Sequence, residues 1–307
     1  MELSTSASAA FLKGLIDYAG LFPPESRDMA GAIEGFNEAR ALRPQMVNRF
    51  IIPDKRLEEL AGLLDGVAEP WPLAVTITAP EGDWSRGLAD GVVSLRVVRD
   101  AMLPVATFDV AEARIPEDVV RDPAIAAILS SARASLATLF DLVLFEVPVT
   151  GDWQEGMPQT LQAIAEANAG AKIRCGGATP EHFPSPEQIA VFIARCLDLS
   201  IPFKATAGLH HPIRHWDPDP GVMRHGFLNV VGAAVLAGYG AFDTEVLTEM
   251  IAEEDITAFH LTKARFRWRG YIAGPAEVTR ARDTFILGYG SCSFTEPLAD
   301  LAKMGVI

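Results

Sequence analysis

Short apolar runs bounded by turn residues recur along this chain and alternate with segments of helical periodicity, the pattern of βα units wound around a parallel sheet. Eight runs read as strands: Leu15–Ala19, Val47–Ile52, Leu73–Thr78, Val93–Val98, Leu142–Val149, Lys172–Cys175, Phe203–Ala207 and Phe227–Val231. The firmest crossover helix follows Pro184. Ser185 caps it, Pro186 suits its first turn, Gln188 stands where a capping-box partner reaches back, and Ile189, Phe192, Ile193, Cys196 and Leu197 share one face. A second apolar face runs through Leu161, Ile164, Ala165 and Asn168 to a stop at Gly170, and a third runs from Met29 to Ala41. Between Ile115 and Phe140 lies a long Ala-rich helical stretch, interrupted near Asp122-Pro123.

Eight strands with intervening helices predict an α/β fold of the (β/α)8 TIM-barrel type, although an open doubly wound sheet reads similarly. The 307 residues fit one such barrel, which routinely runs to about 250 residues or more. No internal repeat, low-complexity tract or Pro/Gly-rich linker divides the chain, so residues 1–307 read as a single domain. Those from about 243 onward are expected to add C-terminal helices and a closing tail.

A formal charge of −14, with no basic run, argues against nucleic-acid partners. Cys175, Cys196 and Cys292 are odd in number and lack C-x-x-C spacing, which points to a reducing compartment and a cytoplasmic location. The stretch from Met1 to Phe11 has neither a basic leader nor a long apolar core, and no run of apolar residues suits a membrane span. A homo-oligomer remains compatible with these features.

In parallel α/β sheets the βα loops gather at the carboxyl ends of the strands, so polar residues inside apolar strands are the candidates for chemistry. Lys204 and Thr206 lie two apart, on one side of Ile201–Gly208. A desolvated lysine near other cations becomes a neutral amine able to form a Schiff base or act as a general base. The plainer alternative is a lysine that braces the barrel against Glu146. The preceding strand carries Lys172 and Arg174 on one face and ends in Gly176 and Gly177, a pattern suited to an anion. Glu146, alone among apolar neighbours, must be paired there, and serves as a base or as a brace.

His210 and His211 follow the Lys204 strand directly, and with His215 and His225 they crowd four of the six histidines into one segment. They suit acid/base work or metal ligation, yet Pro212 and Pro218 oppose the helix that an H-x-x-x-H pair needs. Asp17 is positioned to project from the first strand toward the site, and Pro23-Pro24 stiffens the loop after it. Cys292 stands at the centre of a Gly/Ser-rich turn, Gly288–Phe294, with no histidine adjacent in sequence. Nucleotide-binding fingerprints of the G-x-G-x-x-G and G-x-x-x-x-G-K-[ST] types are absent.

Two segments, Lys172-Ile-Arg-Cys-Gly-Gly177 and Phe203-Lys-Ala-Thr-Ala-Gly208, resemble strand ends of the deoxyribose-phosphate aldolase superfamily, class I aldolases on (β/α)8 barrels. The resemblance implies Lys204 as the Schiff-base lysine, Lys172 or Arg174 as a second cation, and Gly176 with Gly177 as a phosphate site. The order of the two segments is reversed relative to that family, and the aspartate of its proton relay has no clear counterpart. The chain as a whole, with Gly208-Leu-His-His-Pro212 and Gly290-Ser-Cys-Ser-Phe294, is similar to a bacterial family of unassigned activity, which implies no function.

The leading expectation is therefore an enzyme for a small anionic carbonyl compound, without cofactor. Lys204 acts as nucleophile or base, Arg174 as anion anchor, and Glu146 with His210 or His211 in proton transfer. A metal-dependent hydrolase or isomerase built on His210, His211 and Glu146 around a divalent ion is one alternative. A non-catalytic anion-binding barrel is another.

Overall fold

A computed structural model describes residues 6–64, 67, 69–78, 83–149, 151, 153–177, 179–219, 221–240 and 243–307. The first five residues of the N-terminal Ser/Ala-rich stretch thus lie outside the described residues. Eight parallel strands close into a barrel: β1 (Ile16–Tyr18), β2 (Val47–Pro53), β3 (Trp71–Ile77), β4 (Ala106–Arg114), β5 (Leu142–Glu146), β6 (Gly170–Arg174), β7 (Phe203–Thr206) and β8 (Ile286–Ser291). Each strand pairs with its neighbour in sequence, and β8 closes the ring between β7 and β1.

The helix Pro186–Asp198 carries the expected capping box, with both Ser185 and Gln188 engaged. The Met29–Leu42 helix is capped by Asp28. The Ala-rich stretch divides at Asp122-Pro123 into helices Glu117–Val120 and Ile125–Leu136. The face through Leu161 belongs to the Trp153–Glu166 helix, which ends before Asn168, and Gly170 begins β6.

Two expected strands are helices. Val93–Val98 lies within the helix Trp84–Met102, where Trp84, Leu88, Val92 and Leu95 are buried at helical spacing while Val93 and Val97 face outward. The β-branched residues there favour a strand locally, but the longer period prevails. Phe227–Val231 opens the helix Phe227–Ala237, which is buried on every side, and a continuous apolar run does not distinguish such a helix from a buried strand.

The missing strands are β4 and β8. The second of these lies in the region expected to hold only extra helices and a tail. That region in fact contains a helix (Thr244–Ala252), a three-stranded antiparallel sheet within 259–273, a helix (Pro275–Thr284), β8 and a last helix (Thr295–Lys303).

Large apolar side chains on the outer strand faces, among them Phe50, Trp71, Phe145, Phe203 and Tyr289, pack against the helices in one extensive core. The lumen holds a much smaller apolar group, Ala19, Ile51, Ala74, Val110 and Leu144. Two residues further along β4 and β5, on the same face, the side chains change character to Glu112 and Glu146.

Candidate active site

The lumen is crossed by a chain of opposite charges. Lys204, 2 % exposed, donates to the carboxylates of Asp17 and Glu112, the latter at 2.6 Å. The other Glu112 oxygen forms an ion pair with Lys172 at 2.7 Å, and Lys172 pairs with Glu146 at 2.9 Å. Arg174 Nε then donates to the second Glu146 oxygen at 3.1 Å. At the opposite end the backbone N–H of Arg49 donates to Asp17 at 3.1 Å, and the Arg49 guanidinium bonds Asp109 at 3.3 Å.

Strand register explains the arrangement. Lys172 lies opposite Lys204 on one side and Glu146 on the other, so the three side chains share a face and a level. Arg174 and Thr206 are likewise register partners, one step nearer the carboxyl ends, and Thr206 lies opposite Gly290, which in turn lies opposite Asp17. Lys204, Lys172, Glu112, Glu146 and Asp17 are all buried, whereas the Arg174 side chain is 43 % exposed. Arg174 is thus the rung that meets solvent.

Burial opposes the charge on Glu112, but the ammoniums of Lys172 and Lys204 outweigh it and bring the carboxyl down to about 2. Burial likewise opposes ionisation of Glu146, which Lys172 and Arg174 nonetheless hold below the ordinary range. Burial alone would make Lys172 a weaker base, yet Glu112 and Glu146 keep its ammonium above the usual lysine value. Lys172 is a fixed cation.

Sequence reasoning brings Lys204, Lys172, Arg174, Glu146 and Asp17 to one lumen, and the structure places all five there. It corrects one pairing: Lys204 is braced by Asp17 and Glu112, while Glu146 serves Lys172 and Arg174. Glu112 and Arg49 were missed. Glu112 sits in Thr107-Phe-Asp-Val-Ala-Glu112, whose polarity alternates from Thr107 to Val110 with the period of a strand.

The glycine pair has a structural role of its own. A Cβ on Gly176 would lie 3.0 Å from Gly208 Cα, and Gly208 has φ +72°, so the β6 and β7 exits press backbone against backbone. A Cβ on Gly177 would meet the His182 side chain at 2.5 Å. Both glycines are required by packing at the barrel mouth.

The histidines lie in the loop after β7 and reach the last helix. His210 Nδ1 bonds Glu296 at 2.7 Å, and His211 Nδ1 bonds Asp300 at 2.7 Å. Glu146 is engaged elsewhere in the lumen, so the three groups of the metal alternative do not gather. Among the described residues no cluster of three His, Cys, Asp or Glu is spaced to hold a metal ion. Among the same residues, no helix is long and apolar enough to cross a membrane.

No protein-family model matches the chain, and no curated protein matches it. Solved structures do. The deoxyribose phosphate aldolase from Aeropyrum pernix, described as having a unique tetrameric structure, superposes with a TM-score of 0.53 at 12 % identity, covering 96 % of this chain and 93 % of its own. A proposed deoxyribose-phosphate aldolase from Coccidioides immitis gives 0.43 at 10 % identity, over 67 % of this chain and 79 % of its own. At such identities the likeness establishes architecture: the chain has the (β/α)8 barrel fold that the Aeropyrum aldolase also has.

Proposed function

We propose that this barrel is an enzyme acting on a small anionic carbonyl compound, with Lys204 adding to the carbonyl and Arg174 holding the anionic group. The observation that supports it most is the buried run Asp17–Lys204–Glu112–Lys172–Glu146, with Arg174 at its open end. Burying charges costs several kcal/mol per ion before pairing offsets it, and apolar residues of similar volume often serve stability as well or better. A barrel needing only to be filled has no use for two lysines side by side.

In this reading Lys204 gives a proton to Asp17, already hydrogen-bonded to it, and the freed amine attacks the carbonyl carbon. The hydroxyl of the resulting carbinolamine takes the proton back and departs as water, leaving the iminium. A neighbouring C–C bond then breaks with its electron pair passing to the iminium, while the departing fragment gives its hydroxyl proton to Asp17 and leaves as an aldehyde. The enamine so formed takes that proton at carbon, and hydrolysis of the regenerated iminium restores the lysine. Lys172 remains protonated throughout and supplies the positive field beside the reacting centre. Glu146 fixes Arg174 from below, Glu112 stays the counter-charge of the two lysines, and proton transfer passes to Asp17 instead of Glu146.

The tetramer ascribed to the Aeropyrum protein makes self-association a natural expectation, and three buried free cysteines suit a reducing cytoplasm.

The test is hydride trapping. Incubation with borohydride and a panel of small keto-acids and aldehyde phosphates is expected to leave a reduced adduct on Lys204, found by peptide mass. Lys204→Ala should abolish it and Arg174→Ala should weaken it. An anion that binds without trapping on any buried lysine would return the molecule to a non-catalytic binding barrel.

A further inference from the structure

Cys292 and His210, 82 residues apart in sequence, meet at the carboxyl end of the barrel. Cys292 follows β8 directly, His210 lies in the loop after β7, and Cys292 Sγ is 3.5 Å from His210 Nε2. The other ring nitrogen of His210 bonds the Glu296 carboxylate at 2.7 Å. Burial makes ionisation of Glu296 harder, but its hydrogen bond and charge contact with His210 hold it below the ordinary carboxylate range. The order is thiol, imidazole, carboxylate: a nucleophile, a base within reach of its proton, and a group that fixes the base by its far nitrogen. None of the lumen charges takes part.

We propose that Cys292, His210 and Glu296 form a second nucleophilic centre, one that accepts a small acyl group from an ester or thioester. The Cys292 Sγ attacks the acyl carbon as its proton passes to His210 Nε2. The tetrahedral intermediate collapses, the alcohol or thiol leaves with that proton, and the acyl group stays on sulfur as a thioester. Water, deprotonated by His210, then attacks the same carbon and releases the acid and the free thiol. Glu296 is a positioning residue, which keeps Nε2 turned toward sulfur.

Two further features fit. Cys292 is 4 % exposed, so only a slender acyl group can reach it. Burial raises the thiol above its ordinary value, and a backbone N–H from Glu25 partly offsets this, so the proton moves during attack instead of being shed beforehand. Cys175 and Cys196 supply a contrast within the chain. Both are fully buried, with burial pushing Cys175 up to about 12 and Cys196 well above its ordinary value, and neither has a histidine partner among the described residues.

The full-length protein mixed with 4-nitrophenyl acetate is expected to release a burst of one nitrophenolate per chain and to carry acetyl on Cys292 by peptide mass. Cys292→Ala should lose both, and His210→Asn should slow acylation about a hundredfold, the low end of what a positioned base supplies. Glu296→Gln should slow it about tenfold, with partial recovery in Glu296→Asp. Alkylation of wild-type Cys292 by iodoacetamide gives a second measure that requires no cysteine variant, and His210→Asn should slow it as well. Acetyl found on lysines and not on Cys292, or Cys292 rates unchanged by His210→Asn, would overturn the proposal. Acylation of Cys292 and hydride trapping on Lys204 are read at different residues, so either can fail while the other stands.

Discussion

Phe50 and Arg49 are consecutive in β2 and fill space by opposite means. On the outer face Phe50 sits 5.5 Å from Trp71 and 5.4 Å from Phe36 between ring centroids, in a core that spans the whole shell of helices. On the inner face Arg49 joins a run of charges that continues to Arg174. Dispersion and desolvation hold the shell together whatever the arrangement of polar groups, and many alternative side chains of similar volume serve there. The lumen works only if every charge has its opposite, so each residue depends on the identity of the next. The shell specifies a barrel, and the lumen specifies what this barrel is for.

The sharpest way to break that contrast is Glu112→Leu, which leaves Lys172 and Lys204 buried without the carboxylate they share. Denaturant unfolding should show a loss of about 3–5 kcal/mol. Adding Lys172→Met and Lys204→Met should recover much of it, since a fully apolar lumen has no stranded charge; failure to recover would mean that the lysines are not what makes the loss large. The second test is acid. With Glu112 lowered to about 2 in the folded chain from an ordinary 4.5, its contribution is complete above pH 4.5 and fades as pH falls toward 2, amounting to about 3 kcal/mol. Lys172, raised when folded, contributes below about pH 10.5 and loses that contribution at higher pH. Stability should therefore hold a plateau between those limits, with an acid limb that flattens in Glu112→Gln.

Third, Ile52→Val in the outer shell should cost about 1 kcal/mol at every pH, because its place is in the apolar shell and not among the lumen charges. A pH-dependent cost would show that shell and lumen are coupled. The smallest effect is expected for Arg174→Ala. This rung is partly open to water, and Glu146 keeps Lys172, so stability should change by less than about 1 kcal/mol while anion binding, followed by calorimetry, weakens by about tenfold.

The lumen was legible where a charge interrupts an apolar strand. Lys204, Lys172, Arg174, Glu146 and Asp17 each stand out against Val, Ile, Leu and Phe neighbours, and that contrast is itself the signal. Glu112 does not stand out, because Asp109 and Arg114 make β4 look like a half-exposed strand. β8 escaped detection because Gly288 and Gly290 dilute its β-forming character, while Phe227–Ala237 competed with it by being apolar throughout. The meeting of Cys292 with His210 is set by strand order around the ring, which no local pattern encodes.

The late position of β8 governs how such a chain comes into being. As the polypeptide emerges from the ribosome, β1 to β7 are available long before Ile286–Ser291, and until that segment arrives the edges of β1 and β7 stand open with unpaired amides and carbonyls. An open edge recruits any other strand within reach, including one from a neighbouring nascent copy. The same delay withholds Cys292 and Glu296, which trail the closing strand, so the acyl-accepting centre becomes competent only after β8 has taken its place in the ring.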